Sequence, residues 1–388
     1  GWQLTVGLEF HAQLTAPTKL FSPTLTSHLS EANTHVLPYD VSTPGTHPLL
    51  SLPALLPAIQ AALILNCTIN PLSRWDRKHY FYWDQPAGFQ VTQYYRPLAL
   101  NGLLPLKESE DLGMEGLGDW NVNIERVQIE QDTAKTVLGA DMEGKEVNLV
   151  DFNRVGHPLV EIITTPCITS PAMAGAVMRK IQSVLKVMGV ATLGMEWGGL
   201  RADVNVSVRR EGEEKLGQRC EIKNLSSVKA VVEAIEAEAR RQVEVYEGGG
   251  TIVGETRGWD PETGKTHKLR GKEGEVDYRY MPDPDIPPLR LSQGLIDNIK
   301  KNLPWSPSQH LNHLVSDLSL TPKDAKTLIY YEGGDLLAYF YSVRDSIPAD
   351  ISKDYARHAA NWVIHNLLGT LTKEKLTFEE NPIPAEKL

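Results

Sequence analysis

The sequence predicts an α+β protein, with a large, largely antiparallel sheet interrupted by helices and followed by a small all-helical region. Three observations predict it. Runs with polar–apolar alternation recur up to about residue 290, separated by turn-rich stretches: WQLTVGLEFHAQL, NVNIERVQIEQD, EVNLVDFNRV, HPLVEIITT, RADVNVSVRR and QRCEIKNL. Helices fall between these runs without regular strand–helix–strand alternation, which argues against a doubly wound parallel sheet. Beyond 290 the patterning turns helical.

Each element follows from its residues. The six runs read as strands because alternate side chains take opposite faces. A helix is expected from Ser170, as N-cap, through Pro171 and MAGAVMRKIQSVLKVMGV to Gly189. A second begins at Ser226-Ser227 and ends in the glycine run 248–250. The proline-rich DYRYMPDPDIPPL (277–289) continues neither a central strand nor a helix. It sets a boundary between a region 1–290 and a helical region 291–388. The latter contains SPSQHLNHLVSDLSL, TPKDAKTLIYYEGG, GDLLAYFYSVRDSI and SKDYARHAANWVIHNLLGTL, a small bundle of capped helices. The terminal FEENPIPAEKL reads as a linker. HYFYWDQP (79–86) and DYRYMPDP (277–284) share an aromatic-then-proline shape, a weak hint of duplication and more simply a coincidence.

Composition narrows the function. A formal charge of −10 argues against a protein that simply coats nucleic-acid phosphates, while leaving room for a local basic patch. The three cysteines form no CxxC pair and suggest a reducing compartment. No apolar run reaches the length of a membrane span, so no membrane insertion is expected. The first residue is glycine rather than methionine, so any targeting segment is expected to have been removed or left out.

The strand faces carry the chemistry. In RADVNVSV, Arg201, Asp203, Asn205 and Ser207 share one face and Ala202, Val204, Val206 and Val208 the other. Taken alone, such a polar face is most simply a wet face of an antiparallel sheet. The pattern repeats, however. Glu9 and His11 share a face, as do Glu130 and Asp132, and Glu221 and Lys223, while Glu161 sits within the apolar strand HPLVEII, where an isolated carboxylate is costly to bury. Carboxylates converging from several strands, with one imidazole, suit Mg²⁺ or Mn²⁺ better than zinc. Mg²⁺ bridging phosphates implies a nucleoside triphosphate, with Lys78, Arg201 or Lys223 neutralising the transferring group. The absence of GxxxxGK[ST] excludes a P-loop enzyme, and neither a GxSxG elbow nor a kinase signature set is present. The aromatic run after Asp76-Arg77-Lys78, with Tyr80 and Tyr82, could stack on an adenine or an RNA end, or simply edge the core.

Together, VGLEFHAQL, TKLFSP, STPGTHPLL, DRKHYFYWDQPAGFQVTQYYRPL, IEQDTAKT, LVDFNRVGHPLVEIITTP, GLRADVNVSV, EIKNLSS, ETRGWDPETGKT and EVDYRYMPDPDIPPL, in this order, resemble the family of B subunits of tRNA-dependent amidotransferases. The resemblance covers nearly the whole chain and is strongest over residues 4–290. It implies a glutamine-synthetase-like catalytic (cradle) domain over 1–290 and a helical connecting domain over 291–388. A tRNA-gripping tail domain, usual in the family, is expected to be absent from this chain. It implies a ligase that uses ATP and Mg²⁺ to phosphorylate the tRNA-bound glutamate of Glu-tRNA(Gln), after which ammonia displaces the phosphate to give Gln-tRNA(Gln). His11 and Glu161 match metal ligands of the family, with Glu9 and Glu130 beside them. Lys78, Asp203 and Glu221 match other active-site positions. Arg201 and Lys223 are expected charge stabilisers from their strand faces, and Lys78, Tyr80, Tyr82, Arg201 and Asn205 the expected nucleotide contacts.

Bacterial members carry Glu-Glu-Asp where this chain has Glu130-Gln131-Asp132, so Glu130 rather than Gln131 is the expected ligand. The cysteine pairs that hold zinc in some relatives are missing around 32–45, and no zinc is expected. The chain lacks an amidase signature. The resemblance therefore implies a partner glutaminase of the amidase family, supplying ammonia, and a small third subunit clamping the pair. Divergence from bacterial forms, as in VTQYYRPLALNGLLPLKESEDLGMEGLGDW, suggests a mitochondrial, fungal member acting in the matrix; otherwise the protein is cytoplasmic. Two alternatives stand beside this reading. One is an ATP-dependent amide ligase acting on a free amino acid; the other is a non-catalytic tRNA-binding scaffold with a structural ion site.

Overall fold

A computed structural model of the chain describes residues 1–27, 30–191, 194–195, 198–271, 277–347, 354–378 and 380–388. Residues 275–276 of EVDYRYMPDPDIPPL, 352–353 of SKDYARHAANWVIHNLLGTL and Glu379 of FEENPIPAEKL lie outside them. The chain forms two compact units. Residues 1–104, 121–174 and 190–302 make the first; residues 105–120, 175–189 and 303–388 make the second.

In chain order the strands are β1 (Trp2–Gln13), β2 (Thr68–Ile69), β3 (Leu72–Ser73), β4 (Asp76–His79), β5 (Phe89–Thr92), β6 (Ala99–Leu106), β7 (Trp120–Gln131), β8 (Lys135–Ala140), β9 (Glu146–Asp151), β10 (Pro158–Thr164), β11 (Leu200–Arg210), β12 (Cys220–Leu225), β13 (Glu255–Asp260), β14 (Lys265–Gly271), β15 (Met281–Pro282) and β16 (Leu289–Arg290). The main sheet, among the described residues, runs β14-β13-β12-β11-β1-β10-β7-β6-β2. Strand β1 pairs antiparallel with β10 and β11, β10 with β7, and β11 with β12, whereas β12 and β13 run parallel. This bears out the α+β expectation and its largely antiparallel sheet. Strands β15, β4 and β5 form a small separate sheet, and β8 and β9 a hairpin.

The alternation in the sequence decides which face of the sheet is core. Val6, Leu8, Phe10 and Ala12 of β1 and Val204, Val206 and Val208 of β11 are buried. Helix α3 packs on β11; helices α1 and α2 precede it in the chain, and all three are bounded as α1 (Leu52–Ile64), α2 (Pro171–Val187) and α3 (Val228–Glu247). Gln242 of α3 accepts a hydrogen bond from the Val208 amide (3.2 Å) and donates to the Val206 carbonyl (3.1 Å), which ties helix to strand. The opposite face, with Glu9, His11, Asp203 and Asn205, is thereby left to carry the polar side chains. Ser227 caps α3 by accepting from the Ala230 amide, and the helix ends where Gly249 takes φ +77°, a conformation that glycine adopts without a Cβ penalty.

Helices α4 (Gln293–Lys301), α5 (Pro307–Asn312), α6 (Pro322–Tyr330), α7 (Asp335–Ser346), α8 (Tyr355–Asn361) and α9 (Leu368–Glu374) complete the chain. Helix α4 packs on α1 in the first unit. The second unit has its own core around Leu314, Leu328, Leu336, Phe340 and Val363. Ser306 closes a capping box with Gln309, and Thr321 caps α6. Lys180 pairs with the buried Asp111 at 2.6 Å, and the Tyr330 hydroxyl donates to the same carboxylate. Phe340 is fully buried, so Phe340→Ala is expected to destabilise this unit by about 3–5 kcal/mol in denaturant melts. Among the described residues no helix is long and apolar enough to cross a membrane.

Candidate active site

Strand register assembles the site. His11 lies opposite Glu161 on one side and Arg201 on the other, and Glu161 lies opposite Gln128. One step along the sheet Glu9 faces Asp203, and Asn205 faces Glu221. Side chains from β1, β7, β10, β11 and β12 thus share one face. Of these, Glu9, His11, Gln128, Glu161, Asp203 and Glu221 line a cavity of about 810 Å³ with Lys78, Tyr94, Arg126, Lys223, Tyr278 and Tyr280 among its walls.

His11 and Glu161 of the cavity wall, with the buried Glu130, offer one imidazole nitrogen and carboxylate oxygens within 4.8 Å of one another. His11 Nε2 stands 3.6 Å from Glu161 and 3.9 Å from Glu130. Burial holds the His11 pKa below its ordinary value despite Glu130, which keeps the imidazole neutral and able to ligate. Glu130 accepts hydrogen bonds from Thr92 Oγ1 (2.6 Å), Gln128 Nε2 (3.1 Å) and Gln90 Nε2 (3.2 Å). Burial, and then the charge of Glu130, push Glu161 well above the usual carboxylate range. Two buried carboxylates this close repel unless a proton or a cation lies between them. An oxygen-rich donor set with one neutral imidazole fits Mg²⁺ or Mn²⁺. Glu9 lies outside this cluster: its carboxylate accepts from Asn205 Nδ2 at 2.8 Å.

Cations face the same cavity. Burial lowers the Lys78 pKa, but Glu130 and Glu161 outweigh it and hold the ammonium protonated, 4.8 Å from the centre of the Tyr278 ring. Lys223 hydrogen-bonds Asp203 and stands 3.1 Å from Glu221, whose other oxygen accepts from Thr256 Oγ1.

Four of the expected nucleotide contacts lie outside the cavity lining: Asn205, whose amide is taken up by Glu9, and Arg201, Tyr80 and Tyr82. Arg201 is ion-paired at 2.8 Å with Asp132 and is not among the residues lining the cavity. Asp132 also accepts from Gln13, and despite burial Arg201 and Arg154 hold its pKa down at about 2. Asp132 is thereby committed to cations of the protein itself. Tyr80 and Tyr82 also lie outside the cavity lining, and Tyr82 is half exposed. The aromatic wall comes instead from Tyr94, Tyr278 and Tyr280, with Tyr94 and Tyr280 stacked at 3.9 Å. HYFYWDQP and DYRYMPDP are brought together by the pairing of β4 with β15, Met281 opposite Arg77 and Pro282 opposite Asp76. Gln128 joins the site without having stood out in the sequence, although its parity with Glu130 puts it on the site face.

Fold and site define a class: an open carboxylate-lined cradle on an antiparallel sheet, suited to a divalent cation and anionic substrates. The family model described as the GatB/GatE catalytic domain matches residues 4–297, and the chain belongs to that family. It is similar to mitochondrial proteins named as the B subunit of glutamyl-tRNA(Gln) amidotransferase. That of Aspergillus fumigatus is 49% identical over all of this chain and 67% of its own length. That of Fusarium vanettenii is 49% identical over all of this chain and 64% of its own length. That of Neurospora crassa is 49% identical over 96% of this chain and 58% of its own length. The chain thus spans about two thirds or less of these curated relatives.

Proposed function

We propose that this chain is the transamidating subunit of a mitochondrial Glu-tRNA(Gln) amidotransferase. It phosphorylates the tRNA-bound glutamate side chain with ATP and lets ammonia displace the phosphate, forming Gln-tRNA(Gln). The observation that carries the reading is the shared face of the His11–Glu130–Glu161 cluster with Lys78 and the Asp203–Lys223–Glu221 chain. Family membership and the names of the relatives support it.

His11, Glu130 and Glu161 would hold the divalent cation, which offsets charge on the phosphates of ATP when bound. Lys78 stays protonated and presents a positive charge where phosphate oxygens and the glutamate carboxylate must approach each other. Lys223, fixed between two carboxylates, is a second cation of set position. Tyr94, Tyr278 and Tyr280 offer flat apolar surfaces to the adenine or the terminal base of the tRNA. Activation is needed because a carboxylate expels oxide poorly, whereas an acyl phosphate expels phosphate readily. The family resemblance implies the partners: a glutaminase of the amidase family supplying ammonia and a small clamping protein, with Glu-tRNA(Gln) as substrate.

The test is amide formation on Glu-tRNA(Gln) by the reconstituted complex, with Mg²⁺, ATP and ammonium as nitrogen donor. Lys78→Met is expected to lower the rate about a hundredfold while leaving tRNA binding intact. Turnover of free glutamate without tRNA, or a normal rate for Lys78→Met, would overturn the proposal.

A further inference from the structure

Gln128 of β7 is buried at the end of the cavity beside the candidate ligands, and its two ends are treated differently. Its Nε2 donates to Glu130 Oε1 (3.1 Å), to Glu161 and to Thr92 Oγ1 (3.2 Å). Its Oε1 is buried and accepts no hydrogen bond among the described residues. The orientation of the amide is set by chemistry. Exchanging its ends would turn the carbonyl oxygen, which only accepts, toward the ionised Glu130, which also only accepts. The nitrogen therefore faces the acids, and the oxygen is the end left over. A buried amide oxygen without a donor costs stability, so its retention needs an explanation beyond packing.

We propose that Gln128 is a positioning residue of the cation site: its amide nitrogen braces Glu130 and Glu161 together toward His11. The inference rests on the cation site of the proposed function and adds a residue that neither the sequence patterns nor the family likeness assigned. The balance of donors and acceptors carries it. Two clustered carboxylates need a shared donor to hold them convergent. Gln128 supplies that donor with its amide nitrogen. A bracing residue of this kind changes metal affinity about ten- to a hundredfold when it is lost.

The experiment is Mn²⁺ binding to the assembled enzyme, followed by the electron paramagnetic resonance signal of the free ion, with thermal melts in EDTA alongside. Gln128→Met keeps the shape and removes both polar ends. It is expected to bind Mn²⁺ at least tenfold more weakly while still unfolding as one cooperative transition in EDTA. Should the methionine variant fail to fold, Gln128→Asn, which withdraws the amide by one methylene, is expected to show the same loss. Wild-type Mn²⁺ affinity in a folded variant would overturn the role of Gln128 while leaving the cation site standing. No Mn²⁺ binding by the wild type, with His11→Ala indistinguishable from it, would overturn the cation site and this inference together.

Discussion

Glu161→Gln is expected to reduce ATP-dependent amide formation by about three orders of magnitude and to leave the fold as stable as wild type or more so. Glu161 sits between Gln128 and His11 in the row across the sheet and is 8% exposed. The change keeps its shape and removes one of two buried carboxylates that repel each other. A residue kept for packing would lose stability on replacement; one kept for a cation should gain stability and lose function. Asp203→Asn is expected to cost less, about tenfold, because Glu221 still holds Lys223 at 3.1 Å. Reconstituted turnover with ammonium, beside calorimetric melts and tRNA filter binding, separates the outcomes. A Glu161→Gln enzyme with normal turnover would mean that the acidic face is structural.

Glu238→Ala is expected to destabilise the sheet unit by about 3–5 kcal/mol, the cost of removing one partner from a buried ionic network. Glu238 is fully buried and accepts from Arg241 (2.6 Å), Gln242 (2.8 Å) and Thr266 (2.7 Å), with Arg257 Nε at 3.1 Å. It thus joins α3 to β13 and β14, and its loss leaves Arg241 without its main acceptor and Arg257 with Glu255 as its remaining carboxylate partner. Burial alone would raise its pKa, but the hydrogen bonds from Arg241, Gln242 and Thr266 outweigh burial and lower it. A lowered carboxylate contributes fully above the ordinary glutamate value of about 4.3 and loses its contribution as pH falls through the folded-state value. Wild-type stability should therefore drop below that pH, and Glu238→Gln should flatten this part of the profile in urea melts taken from pH 7 to pH 3. An unchanged profile would assign the acid sensitivity to other carboxylates.

Strand parity was legible because it is local. A period of two places Glu9 with His11, Arg201 with Asp203 and Glu221 with Lys223 whatever the strand pairs with, and all these pairs appear in the structure as read. The α3 start at Ser227 and the α2 start at Ser170 were legible for the same reason, since a cap is a contact between neighbours three residues apart.

Register and pairing partners were not legible, because they are set by contacts between residues far apart in the chain. Nothing local shows that Glu130 comes within 4.8 Å of His11, or that Tyr278 and Tyr280 approach Lys78 from about two hundred residues away. Arg201 shares its strand face with Asp203 as the alternation requires, yet its long side chain reaches the deeply ionised Asp132 instead of the cavity. Tyr80 and Tyr82 follow Lys78 in sequence, but the backbone turns after β4 and carries them away from the cavity lining. The sequence by itself therefore determined the α+β class, the helix starts and which residues share a face. Only the tertiary structure decided which faces meet, and so which charges neutralise one another and which remain for chemistry, because Coulomb and hydrogen-bond energies depend on distances that only the folded chain sets.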